Sequence, residues 1–329
     1  MKHDLVYTWV NSHDEQLSAL RARYSANEVK EQFEYRAGAA RYRDNGELKK
    51  SILGALRFLP DLGRIHVAHA GQPPAWAAEF PNVNFVNQSA VVPEAVFPTF
   101  QSDAVEAFLH RIPELSEHYV YANDDFFFAK QEPFSSFYDS QGRALMGVSP
   151  RIAGTPRRLE PVFRQIEINS VRALKKVPSG RLVKERKAIR GLLAAVKARV
   201  LCAASGIGAV NTLSHVAQPH IRSAWGGFSR LFQPEIEKLC SHKFRSAEGY
   251  AINFMYAHYL RSVGRAKFIE APLHAYIDPF ASPAEKSVFL ANLTGGLISR
   301  FCLNDVPSTN DESWRAFVQT ILQDTYLHL

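Results

Sequence analysis

From Tyr119 to Phe128 the chain reads Tyr-Val-Tyr-Ala-Asn-Asp-Asp-Phe-Phe-Phe. An apolar run stops at two adjacent acids and then turns apolar again. A buried strand cannot hold a carboxylate pair in its middle cheaply. Each unpaired buried charge costs several kcal/mol or is forced neutral. The strand therefore ends at Asn123, and Asp124 and Asp125 stand at its carboxyl edge. In open α/β sheets that edge is where ligands bind. Two carboxylates there suit a divalent cation that carries a phosphate. Taken alone, the same residues also suit a polar turn between two strands.

The preceding sequence supplies a sheet for that edge. Leu5 to Val10 is β-branched and aromatic and predicts a buried strand. Asn11-Ser12-His13-Asp14 closes it, with Ser12 or Asp14 capping a helix over about residues 15–35. Asp44-Asn45-Gly46-Glu47 precedes a second helix. There Leu48, Ile52, Ala55, Leu56 and Leu59 recur at helical spacing, and Pro60 ends it. Strands are predicted at 65–70, 83–86 and 119–122, and a helix at 102–112. In that helix Ala104, Val105, Phe108, Leu109 and Ile112 share one stripe; Asp103, Glu106 and His110 share the other. Strands alternating with helices imply an α/β fold over residues 1–150: a Rossmann-like, mostly parallel sheet flanked by helices. GxGxxG and P-loop motifs are missing.

The 329 residues, 46% of them hydrophobic, suffice for a sizeable core. The net charge of +7 is unevenly spread. Residues 151–200 hold 14 basic and 3 acidic residues, a net of +11, which leaves the rest at −4. Such a segment points to a polyanion, an anionic membrane surface or an anionic substrate. From Lys187 to Leu201 it predicts an amphipathic helix, with Ile189, Leu192, Leu193, Val196 and Val200 on the apolar face. That helix suits a lipid surface or simply a core contact with a wet face. Residues 151–205 thus form a basic helical insertion. Residues 206–329 form a helical remainder that completes the site, with 211–260 largely helical. Cys202, Cys240 and Cys302 are far apart, and no CxxC occurs. This favours a reducing compartment over a disulfide scaffold. The strand-like N-terminus has no apolar leader, so no signal peptide is predicted. No window is long and apolar enough to span a membrane. The predicted location is cytoplasmic, with a peripheral place at the inner membrane face open to it.

Four polar islands stand out. One is the end of the first strand, Asp4 to Asp14. A second runs from Arg41-Tyr42-Arg43-Asp44-Asn45-Gly46-Glu47 through Gln101 to Arg111 to the Asp124-Asp125 pair. A third holds His215, Pro219-His220-Ile221-Arg222 and His242 to Glu248. The last is Cys302-Leu303-Asn304-Asp305. Their order and wording resemble the four conserved regions of the Stealth proteins. These are sugar-1-phosphate transferases that include bacterial capsule polymerases and the animal N-acetylglucosamine-1-phosphotransferase. DLVYTWVN resembles region one. RDNGELKKSI, HAGQPPAW and FPTFQSDAVEAFLHRIPELSEHYVYANDDFFF resemble region two. QPHIRS and HKFRSAEGYAINFMYAHY resemble region three, and CLND region four. The match is near continuous over residues 4–128 and patchy afterwards. Gln101 and Glu248-Gly249 depart from the usual wording, and residues 151–200 have no counterpart; acceptor choice is what these departures touch.

The resemblance implies transfer of a hexose-1-phosphate, typically an N-acetylhexosamine phosphate, from a UDP-sugar to an acceptor hydroxyl, with release of UMP. It implies Mg²⁺ or Mn²⁺ on Asp124, Asp125 and Asp305. Arg245 is the phosphate arginine, with Arg43 and Arg111 behind it. A sugar hydroxyl needs a positioned base; His220 is first and His215 second. Asp4, Thr8, Trp9 and Asn11 would frame the uridine, with Arg43, Asp44, Asn45, Glu47 and Ser102 on the same donor. Glu106 and His110 would face the sugar or the metal's surroundings. The partners implied are a UDP-sugar and a polysaccharide or oligosaccharide acceptor, with no nucleic acid; an oligomer is left open. Two rivals remain: a metal-dependent glycosyltransferase that releases UDP, and a non-catalytic polyanion-binding protein resting on the basic segment.

Overall fold

The run Leu5 to Val10 has little polar surface to give to water, so both of its faces must be covered. In the computed structural model, which describes residues 2–26, 38–153, 161–177, 200, 210–270, 274–306 and 311–325, that run is the central strand of the main sheet. β1 (His3–Val10) lies between β2 (Leu62–Ala70) and β4 (His118–Asn123), parallel to both. Its Leu5, Val6 and Tyr7 are fully buried. β3 (Val83–Asn87) extends the sheet beyond β2, also parallel. β8 (Gln218–Ile221) closes the far edge antiparallel to β4, giving the order β3-β2-β1-β4-β8. Pro219 is tolerated there because an edge strand needs hydrogen bonds on one side only.

That order fixes where a ligand goes. The chain leaves β1 toward β2 and β3, then returns to β1's other side as β4. The crevice at the carboxyl ends of β1 and β4 is therefore the switch point of the sheet. In register, Thr8 sits opposite Asn123 there.

Two small sheets brace this edge. β5 (Phe126–Phe128) starts just past the acid pair and pairs antiparallel with β11 (Arg300–Leu303), which runs parallel to β10 (His274–Ile277). β6 (Ala144–Ile152) joins β7 (Asn211–Leu213) and β9 (Ala266–Glu270). Among the described residues, the part after residue 206 therefore carries five strands as well as helices. One of them belongs to the main sheet, so this part is woven into the core rather than appended to it.

The helices begin with α1 (Glu15–Ser25), capped by the Asp14 carboxylate accepting from the Leu17 amide at 2.9 Å. The rest of the predicted 15–35 helix, residues 27–37, lies outside the described residues. α2 (Glu47–Phe58) forms as expected. It packs Tyr7 through a 2.7 Å hydroxyl contact with Ser51, while Leu56 turns outward at 53% exposure. The 102–112 helix is shorter than predicted: α3 (Ser102–Glu106) stops, and a tighter turn follows at Leu109–Arg111. α4 (Pro161–Ala173) is part of the basic stretch. The amphipathic helix predicted from Lys187 to Leu201 lies outside the described residues but for Val200. α5 (Trp225–Leu231), α6 (Gln233–Ser241) and α7 (Ile252–Ser262) form the helical side of the third segment, followed by α8 (Pro283–Thr294) and α9 (Asp311–Gln319). Among the described residues no helix is long and apolar enough to cross a membrane.

Candidate active site

The acids gather at the switch point. Gly46 adopts φ 89°, a left-handed turn that L side chains rarely take, so the loop before α2 folds back on itself. Asp44 then accepts from the Gly46 amide at 2.7 Å and from Trp9 Nε1 at 3.1 Å. Asn45 Nδ2 donates to Glu47 at 2.6 Å, and Gln319, the last residue of α9, donates to the Asn45 carbonyl at 3.2 Å. From the other side, β11 brings Asp305, whose Oδ2 lies 3.1 Å from Arg43 Nη1. The Leu303 amide donates to the Asp125 carbonyl at 3.1 Å and locks the two segments together.

Crowding shows in the acidities. Burial, then the charges of Asp125, Glu47 and Asp44, hold Asp124 well above the usual carboxylate range. Burial pushes Asp125 up to about 7; the Cys302 hydrogen bond opposes this and Asp305 adds to it. Burial also lifts Glu47 to about 7 against its hydrogen bonds from Asn45. Asp125 Oδ1 is buried without a hydrogen-bond partner among the described residues. This donor set is all oxygen and carries more negative charge than the nearby arginines offset. It suits a hard divalent cation.

A second cluster adjoins the first. The Tyr121 hydroxyl stands 2.8 Å from Glu106 Oε1, 2.6 Å from Asn123 Oδ1 and 3.0 Å from Thr8 Oγ1. Asn253 Nδ2 donates to Glu106 Oε2 at 2.7 Å. Burial, then the charge of Asp103, pushes Glu106 up to about 8, with Ser102 and Tyr121 hydrogen bonds opposing. Arg245 Nη2 reaches Asp103 at 3.5 Å, and its guanidinium covers the Phe163 ring at 4.2 Å. Thr8, Ser102, Glu106 and Arg245 therefore do meet.

The histidines separate. His215, in the loop between β7 and β8, is exposed and sits beside Asp125 and Cys302; one donor atom from each lies within 4.8 Å of the others. His220 is 2% exposed, among Tyr119, Tyr121, Trp225 and Tyr256, with ring centroids 4.9–5.8 Å away. Its Nδ1 contacts the Tyr119 hydroxyl at 3.2 Å, and its Nε2 has no partner among the described residues. Burial lowers it to about 3, so the ring is neutral.

Four expected donor-binding residues stand elsewhere or are already engaged. Asp4 lies at the amino end of β1, away from the switch point. It accepts from the Arg64 and Ser116 amides at 2.8 Å each and contacts His66 at 3.3 Å, so it braces the fold and cannot frame a nucleotide. The apolar strand between Asp4 and Thr8 made the two read as one island, but they mark opposite ends of the sheet. Asn11 shapes its own turn, donating to the Gln72 carbonyl at 2.9 Å and accepting from the His13 amide. His110 stacks on Trp225 at 5.2 Å with planes 6° apart, and burial lowers it to about 4; it belongs to the packing of α5 rather than to the sugar side. Arg111 is exposed over Phe108.

Sequence reading missed Tyr121, Asn253 and Cys302 as site residues. Tyr121 carried a signal: in β4 it points to the same face as Tyr119 and Asn123, and that face meets α3. Asn253 carried none, because its partner lies 147 residues away.

Residues 41–146 match the profile of Stealth protein CR2, conserved region 2. Over those residues the chain is similar to the Stealth family. Among curated relatives, the capsular polysaccharide phosphotransferase LcbA of Aeromonas hydrophila is 34% identical over 153 residues, 46% of this chain and 42% of its own length. The capsular polysaccharide phosphotransferase fcs1 of Haemophilus influenzae is 25% identical over 97% of this chain and 82% of its own. The exopolysaccharide phosphotransferase CpsY of Mycobacterium leprae is 29% identical over 93% of this chain and 53% of its own. The chain spans less than half the length of several capsular relatives it matches, such as LcbA and, at 40%, cps12A of Actinobacillus pleuropneumoniae. The solved structures it is similar to include mouse xyloside xylosyltransferase 1, at 12% identity and TM-score 0.44 over 94% of this chain and all of that one. They also include the galactosyltransferase LgtC with donor and acceptor sugar analogues, at 11% and 0.41 over 96% and 95%.

Proposed function

We propose that this chain is an enzyme that transfers a hexose-1-phosphate, an N-acetylhexosamine phosphate in the first instance, from a UDP-sugar to a sugar hydroxyl. UMP is released, and a phosphodiester is left in a capsular or cell-surface polysaccharide. One observation carries this reading: the acids Asp44, Glu47, Asp124, Asp125 and Asp305 crowd the switch point of a Stealth sheet. Asp124, Asp125 and Asp305 would hold Mg²⁺ or Mn²⁺; their oxygen donors and the orphaned Asp125 Oδ1 fit such an ion. When bound, the ion offsets phosphate charge that would otherwise repel the nucleophile.

The chain's own residues do the rest. Thr8 and Trp9 line the nucleotide side, with Asn45 and Glu47 shaping the loop around it. Arg43 and Arg245 face the phosphates from either cluster. The acceptor oxygen attacks the β-phosphorus, a new P–O bond forms, and the bond to the UMP oxygen breaks. The acceptor's proton passes to His220 Nε2. Support for His220 comes from that nitrogen having no partner among the described residues, since an unsatisfied buried polar atom costs about 1–3 kcal/mol and calls for an explanation. A second reading gives the proton to His215, and its place beside Asp125 favours it. The basic stretch 151–200 would hold polyanionic product or an anionic lipid surface on the cytoplasmic face, on the strength of its charge.

Incubation with a panel of UDP-sugars and Mg²⁺ tests the reaction. UMP release is expected. Release of UDP would make the chain a glycosyltransferase, and release of neither nucleotide would remove the enzyme reading.

A further inference from the structure

β11 delivers more than Asp305. Cys302 on that strand is fully buried and pairs in register with Phe126, the residue after Asp125. Its thiol donates to Asp125 Oδ2 at 3.4 Å. His215 approaches from the loop before β8, its ring edge-on to Phe126 at 5.0 Å and to Tyr276 at 5.6 Å. Three different ligand types, a carboxylate oxygen, an imidazole nitrogen and a sulfur, thus converge from three chain segments to within 4.8 Å.

This is not a magnesium donor set. Mg²⁺ takes oxygen and dislikes sulfur, whereas thiolate and imidazole select zinc-like ions. We propose that Asp125, His215 and Cys302 form a site for a thiophilic divalent cation of the zinc class, which shares Asp125 with the oxygen site and so competes with it. Two ligands on one tetrahedral zinc lie about 3.5 Å apart. Cys302 Sγ and Asp125 Oδ2 already stand at 3.4 Å. Only the imidazole has to close in, and it is the exposed member of the three. On binding, the thiol proton leaves for solvent and the ion takes its place between sulfur and oxygen. Three protein ligands leave a fourth position open, as in catalytic rather than structural zinc sites.

The binding claim stands on these donors alone; the competition rests on the proposed oxygen site. Chelator-treated full chain should therefore be titrated with Cd²⁺ while the ultraviolet sulfur-to-metal band is followed. One equivalent should develop the band, and a Cys202→Ser/Cys240→Ser variant, with Cys302 its sole thiol, should keep it. Cys302→Ser should lose it. His215→Ala, which removes an exposed ring, should weaken Cd²⁺ binding at least about tenfold. No band in the wild type or in the Cys302-only variant overturns the site. So does a band that survives Cys302→Ser, or unchanged affinity in His215→Ala. If Cys302→Ser does not fold, the Cys302-only variant and His215→Ala decide alone. A chain that binds Cd²⁺ this way yet releases no UMP keeps the site and loses the transferase reading.

Discussion

Arg43 Nη1 lies 3.1 Å from Asp305 Oδ2, joining the loop before α2 to the segment after β11 across 262 residues of sequence. The short Cys-Leu-Asn-Asp motif near the end of the chain means little by itself. The contact makes it part of the site, because Asp305 is delivered to the same edge as Asp124 and Asp125. If Asp305 helps hold the cation, Asp305→Asn should raise the Mg²⁺ concentration needed for half-maximal UMP release by about 10–100-fold. An unchanged Mg²⁺ requirement would remove Asp305 from the ligand set.

Crowded acids also cost stability while no cation is bound. Asp124 is held well above its ordinary range, by burial first and then by its acidic neighbours. Such a group favours unfolding at neutral pH, where the unfolded chain releases its proton freely. Asp124→Asn should therefore raise the melting temperature in chelator while lowering transfer. A lower melting temperature together with lost activity would mean that the acid braces the fold instead.

His3 gives the acid limb of stability. Its ring is fully buried against Phe134, Phe137 and Tyr138, and neither ring nitrogen has a hydrogen-bond partner among the described residues. Burial lowers it to about 4. The folded pKa is below the unfolded one, so the unfolded state binds the proton first. Stability is whole above about pH 6.5 and is lost as pH falls toward 4, at up to about 1.4 kcal/mol per pH unit. His110 and His220 add to the same trend. His3→Phe should shallow the fall in denaturation midpoint between those pH values without loss at neutral pH. A slope equal to wild type would show that His3 is not a source.

These particulars show what a sequence can carry. β1 to β4 were legible because buried parallel strands write themselves as unbroken apolar runs, and the acid pair could only stand at an end. The 102–112 helix read too long because its two stripes are consistent with one helix. What breaks it is tertiary: Glu106 is tied to Tyr121 and Asn253, and His110 is drawn onto Trp225. β7 and β8 were missed because strands of three and four residues, one holding Pro219, are too short to show a period. The candidate site stood in the sequence as four separate islands. Which histidine meets which acid was not legible, since five residues of sequence put His215 at Asp125 and His220 in an aromatic box.

Glu106 sets the alkaline limb. Burial and the Asp103 charge hold it at about 8, far above about 4.3 for an unfolded chain. Between those values the folded state keeps a proton that the unfolded state has released. Stability therefore falls as pH rises through that window. Glu106→Gln mimics the protonated form and can keep both the Tyr121 and Asn253 contacts. Urea midpoints at about pH 4 should match wild type, and at about pH 9 the variant should be the more stable. Equal midpoints at both pH values would mean that Glu106 is already ionised in the fold.

The base assignment turns on two histidines with opposite surroundings. His220 is neutral, buried and left with one nitrogen unpartnered among the described residues; His215 is exposed beside an acid and a thiol. A base must be unprotonated and able to accept, and both rings can meet that at neutral pH. What differs is the role left over. His215 has donor neighbours suited to a metal, whereas among the described residues His220 meets aromatic rings and the Tyr119 hydroxyl. His220→Gln, which keeps most of the volume, should cut turnover roughly 10²–10⁴-fold while UDP-sugar binding changes little. His215→Ala should act mainly through the thiophilic metal, shifting the Cd²⁺ dependence rather than the limiting rate. Measuring both variants at saturating Mg²⁺ separates the roles. Should His215→Ala be the dead enzyme there and His220→Gln the active one, the proton goes to His215, and the aromatic box around His220 is packing.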